Sequence, residues 1–191
     1  YFEMINEMWG AMDALFRKYY ATHGKHVGDG MVYYFFPQPD CNHLMNAVLC
    51  GHAMKETMRS VSHEWRQRKN WTNELVLNTG IDEGQEWFGT YQTPTHLEFT
   101  VLGDTINRAA RLSDFARNGS VWLTKNLVGN LTPEERERVR FGIRRTSDNG
   151  EEVIVSNTYS RVSNLADLQN VDNHKFHDIA TLAVTEMLDV V

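Results

Sequence analysis

Apolar residues in the first twenty positions recur at helical spacing: Ile5, Met8, Trp9, Met12, Leu15, Phe16 and Tyr19 draw one stripe, which predicts an amphipathic helix. Thr22-His23-Gly24 breaks the pattern. Residues 25–27 and 31–36 then read as two strands joined by Gly28-Asp29-Gly30, a tight turn with an acid at its tip. Pro37 and Pro39 end that hairpin, and Asp40-Cys41-Asn42 offers caps for a long helix. Its buried side is marked by Leu44, Met45, Val48, Leu49, His52, Met58, Val61 and Trp65. Arg66, Arg68 and Lys69 close it, where cations complement the helix dipole.

Residues 74–81 and 84–91 read as strands, followed by a Pro-containing excursion over 92–97, a strand at Phe99 and a helix over 105–116 with Asp104 as its N-cap. A short strand over 119–123 leads to a helical turn over 124–131. Thr132-Pro133-Glu134-Glu135 starts a helix with proline at its favoured first position. Strands over 140–145 and 153–159 flank Ser147-Asp148-Asn149-Gly150, where Asn-Gly signals a hairpin. Ile179, Leu182, Ala183, Met187 and Leu188 form a last helical stripe. This order, αββαββαβ with a late hairpin, predicts a mixed sheet covered by helices, an α/β (α+β) class. The expected organisation is one domain over residues 1–161 and a C-terminal helical extension over 162–191.

With 191 residues, 41% of them hydrophobic, the chain can bury a substantial core. A formal charge of -6 argues against a nonspecific nucleic-acid binder, so a polyanionic ligand must be held by local cations or by metal. The two cysteines, Cys41 and Cys50, stand nine residues apart in a helical segment, too distant to bridge, which fits a reducing compartment. No apolar run approaches the roughly 20 residues that span a bilayer, and no signal-peptide pattern is visible. A cytoplasmic domain is expected, either free or as the intracellular part of a membrane-attached parent chain. The eight histidines show no metal-ligand spacing, and the methionine-rich stripes read as core or dimer packing.

The most specific stretch is residues 99–112, FTVLGDTINRAARL, in which a strand turns at Gly103-Asp104 into a helix carrying Asn107 and Arg111. Four residues apart, these two share a helix face. An amide beside a fixed cation suits a sugar and a phosphate, because amide donors and guanidinium forks match oxygen acceptors. Upstream stand Lys25-His26-Val27-Gly28-Asp29-Gly30 and Thr79-Gly80-Ile81-Asp82-Glu83-Gly84. In order and spacing the three blocks resemble the catalytic domain of class III nucleotidyl cyclases, over residues 1–159. The resemblance implies a ferredoxin-like βαββαβ core with a mixed antiparallel sheet. It also implies head-to-tail pairing with a second copy and two active sites across the dimer interface.

The resemblance implies, too, that two divalent cations, Mg2+ or Mn2+, are held by two aspartates. Asp29 matches the second of these; the first belongs on a strand expected upstream of Tyr1, so the core's first strand is missing from this sequence. Lys25 and Thr100 match the positions that read the base. A lysine donor suits the accepting N1 of adenine, whereas guanine presents a protonated N1, so ATP is favoured and Thr100, which donates and accepts, is permissive. Asn107 matches the residue that positions the ribose, and Arg111 the cation that stabilises the pentavalent phosphate. The late-hairpin lysine of active members has no counterpart; Arg144 or Arg145 stands in its neighbourhood, and strand alternation lets at most one face the site. The implied function is conversion of ATP to 3′,5′-cyclic AMP and pyrophosphate by a homodimer, driven by an upstream sensory or regulatory domain. The alternatives are a catalytically silent cyclase-like partner domain, or a cyclase for GTP or a pyrimidine triphosphate.

Overall fold

The computed structural model describes residues 1–147 and 149–191, which divide into two units, Tyr1–Leu77 with Gly84–Ile106 and Asn78–Glu83 with Asn107–Val191. In the first, helix α1 (Phe2–Lys18) buries Met8, Met12 and Phe16 from the predicted stripe. They meet Cys50, Met58, Val61 and Trp65 of helix α2 (His43–Lys69). Asn42 caps α2 by accepting from the Leu44 amide at 3.0 Å, and Asn70 ends it in a left-handed conformation. Across the α1–α2 seam, Glu7 accepts from Trp65 Nε1 at 2.9 Å and from Arg68 Nη2 at 2.6 Å.

Strands β1 (Ala21–Val27) and β2 (Gly30–Phe35) pair antiparallel as the predicted hairpin, and Phe16 stacks on Tyr33 beneath them at 3.6 Å. Gly28 takes φ 64° in the two-residue turn, a left-handed conformation that glycine adopts without steric cost. A second hairpin joins β4 (Trp87–Thr93) to β5 (His96–Leu102). Phe88 and Phe99 pack on Tyr34, and Phe88 on Phe36, while Trp87, Tyr91, Leu97 and Leu102 remain exposed.

The second unit is built on one mixed sheet in the order β3 (Thr79–Ile81), β6 (Val121–Thr124), β10 (Ala183–Val190), β7 (Val139–Thr146), β8 (Glu152–Ser156). Strand β3 runs parallel to β6; the other neighbours are antiparallel, and β9 (Ser160–Arg161) adds to β10. Helix α3 (Asp104–Phe115) lies against this sheet with Leu112 fully buried. Two short helices, α4 (Lys125–Gly129) and α5 (Pro133–Arg138), follow β6, and α5 opens with the capping box of Thr132 and Glu135. A mixed α/β fold with open mixed sheets is thus what the alternation of helices and strands anticipates.

Three expectations need correction. The strand expected over residues 74–81 is paired only over Thr79–Ile81; before it, the Leu75 amide is taken by Ser62 Oγ at 2.8 Å and Leu75 and Leu77 pack on the α1–α2 core. Residues 162–191 are not an α-helical extension. They form a 3₁₀ turn (Val162–Asn164), a 3₁₀ helix (Val171–Ile179) and the strand β10 in the interior of the sheet. Val184, Thr185, Glu186 and Met187 are all buried, because a strand covered on both faces loses the alternation that would have marked it. Asp104 is the first residue of α3 and not its cap: the Thr105 amide donates to the Glu86 carboxylate. In the late hairpin, Asp148 lies outside the described residues.

Candidate active site

Lys25, Asp29 and Thr100 belong to the first unit; Asn107, Arg111, Arg144 and Arg145 belong to the second. The β1–β2 hairpin carries Lys25 and Asp29, both exposed, with Asp29 at the tip as expected. Residues around Lys25 leave the regular ladder between His23 and His26. Gly24 is required beside it, since a Cβ would lie 2.7 Å from the Val32 carbonyl oxygen and against the Tyr34 ring. The Asp29 carboxylate accepts from the Tyr1 hydroxyl at 3.3 Å, in the open. Thr100 is half-buried on β5 opposite Gly89.

An exposed carboxylate at a hairpin tip fits one ligand of Mg2+ or Mn2+, ions that take a few carboxylate oxygens and complete their shell from substrate phosphates. Among the described residues no three histidine, cysteine, aspartate or glutamate side chains gather into a metal cage.

Asn107 and Arg111 project one turn apart from α3, Asn107 exposed and Arg111 with 41% of its side chain exposed. Arg111 Nη1 lies 3.6 Å from the Asp114 carboxylate, and Nε lies 3.7 Å from Asp178 on the C-terminal 3₁₀ helix. Lys175 Nζ, from the same 3₁₀ helix, sits 3.6 Å from Asp114. These separations exceed hydrogen-bond length, so the cation is attracted without being locked.

Arg144 is held differently. Its Nε donates to Glu186 at 2.8 Å and its Nη1 to Glu152 at 2.8 Å, and these carboxylates raise the guanidinium pKa further. Glu186 stands opposite both Gly142 and Trp122, and Trp122 packs edge-on against Phe115 of α3 at 4.9 Å. Arg144, two residues from Gly142, therefore shares the face of the sheet on which α3 lies, and Arg145 projects from the other.

Sequence reasoning missed what seats α3. Gly80 has no room for a Cβ, which would run into the Ala109 carbonyl oxygen and the Ser113 amide, so β3 meets the helix backbone directly. Gly103 likewise leaves space for the Glu86 carboxylate that caps the first turn. Asp82, its side chain 1% exposed, accepts from Arg108 Nε at 2.6 Å and from Thr124 Oγ1 at 2.7 Å. Glu83 accepts from Asn126 and, at 2.5 Å, from Asn130, tying the end of β3 to α4. The glycines of the second and third blocks were visible in the sequence; their tertiary partners were not.

Among solved structures, the fold is similar to the guanylyl cyclase Cya2, with a TM-score of 0.69 and 17% identity, over 99% of this chain and 80% of that one. It is similar to the adenylyl cyclase CyaB from P. aeruginosa, with a TM-score of 0.70 and 20% identity, over 99% and 82% of the two chains. The guanylate cyclase domain of RhGC from Catenaria anguillulae, solved in complex with GTP, matches with a TM-score of 0.59 and 12% identity, over 98% and 83%. None of the curated proteins matches the sequence. Residues 1–159 match the family described as the adenylate and guanylate cyclase catalytic domain, and on that match over most of its length this chain belongs to that family, as a class III nucleotide cyclase domain.

Proposed function

We propose that the chain converts ATP to 3′,5′-cyclic AMP and pyrophosphate at two composite sites of a homodimer. One observation carries the reading: α3 presents Asn107 and Arg111 together, and Arg111 meets its carboxylate neighbours only at 3.6 and 3.7 Å, within reach of exchange for a phosphate. In the reaction the ribose 3′ oxygen loses its proton and attacks the α-phosphorus. The bond from that phosphorus to the bridging oxygen breaks, and pyrophosphate leaves with the bonding pair. Asn107 orients the ribose, and Arg111 stabilises the negative charge that builds at the phosphorus. Arg144, on the α3 side of the sheet, supplies the late-hairpin cation, and Arg145 does not. When bound, a pair of Mg2+ or Mn2+ ions contributes neutralisation of phosphate charge and easier loss of the hydroxyl proton, with Asp29 as a ligand.

Relatives of this fold include both adenylyl and guanylyl cyclases, so the choice of base rests on Lys25 and Thr100. Lys25 donates to adenine N1, and Thr100 adapts to the neighbouring edge. Pairing with a second copy is supported by the β4–β5 arm, whose exposed Trp87, Tyr91, Leu97 and Leu102 form the kind of apolar surface that marks a protein interface. Such pairing sets the Asp29 carboxylate of one copy against Asn107 and Arg111 of the other.

The test is turnover of ATP, GTP, CTP and UTP, each with Mn2+, by the purified protein. Cyclic AMP and pyrophosphate in equal amounts are expected, and Asp29→Ala should abolish them without loss of fold. Cyclic GMP as main product would overturn the role given to Lys25. A dimer without turnover would make the chain a silent partner domain.

A further inference from the structure

Helix α3 carries two arginines with opposite fates. Arg111 shares its face with Asn107, whereas Arg108 lies four residues before Leu112, the fully buried residue that anchors the helix to the sheet. A charged residue on that inner face is unfavourable unless paired, and Arg108 is paired by a carboxylate that is itself almost wholly out of water. Asp82 reaches it from the end of β3, and the second Asp82 oxygen is fixed by the Thr124 hydroxyl at 2.7 Å. Below the helix Gly80 contributes no side chain, so the contact there is backbone on backbone and does little to resist rotation of α3 about its axis. Phe115, at the end of α3, packs on Trp122 and Phe176, and further back rotation is resisted at two points one turn apart, Leu112 in its apolar cluster with Phe176, Ile179 and Val184, and Arg108 on Asp82. Asn107 and Arg111 sit roughly 100° round the helix from these anchors.

We propose that Asp82 is a positioning residue for cyclisation: through Arg108 it fixes the rotation of α3 and so the aim of Asn107 and Arg111. This rests on the reading of α3 as the catalytic helix. A displacement of about 1 Å at a reacting group can cost on the order of 10²-fold in rate, so the pair matters for kcat out of proportion to its part in folding.

Asp82→Asn keeps an oxygen for Thr124 and removes the charge that grips Arg108, and Arg108→Met keeps the stem and removes the fork. Both variants, the double variant and Asn107→Ala are compared with the parent for kcat, KM and thermal unfolding. Expected for each single variant is a fall in kcat of roughly 10- to 100-fold with KM within about 3-fold. Arg108→Lys should recover part of the loss, and the double variant should be no worse than either single, as coupled residues behave. Turnover per folded molecule that is unchanged in Asp82→Asn and Arg108→Met, while Asn107→Ala is crippled, overturns the positioning role and leaves α3 catalytic. Unchanged turnover in Asn107→Ala, or a parent without turnover, overturns the reading of α3 and this inference with it.

Discussion

Replacing Arg144 and Arg145 in turn separates two side chains that adjoin in sequence and differ in environment. Glu186 sits on the interior strand β10 with 7% of its side chain exposed, and Arg144 Nε at 2.8 Å is the charge beside it. A hydrogen bond to a charged group contributes about 1.5–3 kcal/mol, and removing one partner strands the other. The second carboxylate, Glu152, is 63% exposed and adds roughly 0–1 kcal/mol. Arg144→Met keeps the apolar stem, so the expected cost is about 2–3 kcal/mol, which lowers Tm by about 5–10 °C in a chain of this size. Arg145, exposed on the opposite face, should cost less than about 0.5 kcal/mol as Met. Adding Glu186→Gln to Arg144→Met should recover stability, because the stranded charge is gone. Scanning calorimetry measures all four proteins, and turnover is followed in parallel: Arg144→Met should lose on the order of 10²-fold, Arg145→Met little. Equal destabilisation by the two arginine variants, or turnover that falls only with Arg145, would refute the assignment of faces.

Two further outcomes follow from titrating groups in the first unit. Cys50 is buried and its thiol is pushed up to about 12 by burial, so it stays protonated at neutral pH; Cys41 is half-buried before α2. A disulfide reagent should label one thiol in the native protein and two after denaturation, and rapid native labelling of both would contradict the packing of α1 on α2. Glu7 is held below the usual carboxylate range, chiefly by its hydrogen bond from Arg68, partly opposed by desolvation. A carboxyl with a depressed folded pKa stabilises above its unfolded pKa and loses that contribution as pH falls through the folded one. Glu7→Gln should therefore lower Tm at about pH 7, and the gap to the parent should narrow as the pH falls into the acid range where Glu7 protonates; a gap independent of pH would mean that Glu7 acts by packing alone.

What the sequence disclosed is what short-range periodicity can encode. The stripe of Met8, Met12 and Phe16, the Gly28-Asp29 turn and the face shared by Asn107 and Arg111 each depend on residues within a few positions of one another. The cap of α3 comes from Glu86, 19 residues before Thr105, where Asp104 offered a local and sufficient candidate. Asp82 and Arg108 carry no local signal of burial, because each is tolerable inside only with the other, 26 residues away. Between Arg144 and Arg145 the pattern had no vote until Trp122 and Phe115 showed which face carries α3.

The C-terminal segment is the sharpest case, and it bears on the site. Ile179, Leu182, Ala183, Met187 and Leu188 satisfy helical spacing, yet from Ala183 onward the chain is a strand hydrogen-bonded to β6 on one side and β7 on the other. Without β10 those two strands would each lose a ladder partner, and Glu186 could not meet Arg144. The 3₁₀ helix just before β10 buries Phe176 edge-on against Phe115 at 5.6 Å, which seats Lys175 beside Asp114 and Asp178 beside Arg111. Residues beyond the span matched by the family thus complete the sheet under α3 and set the charge around Arg111, so the last thirty residues belong to the same unit as Asn107 and Arg111.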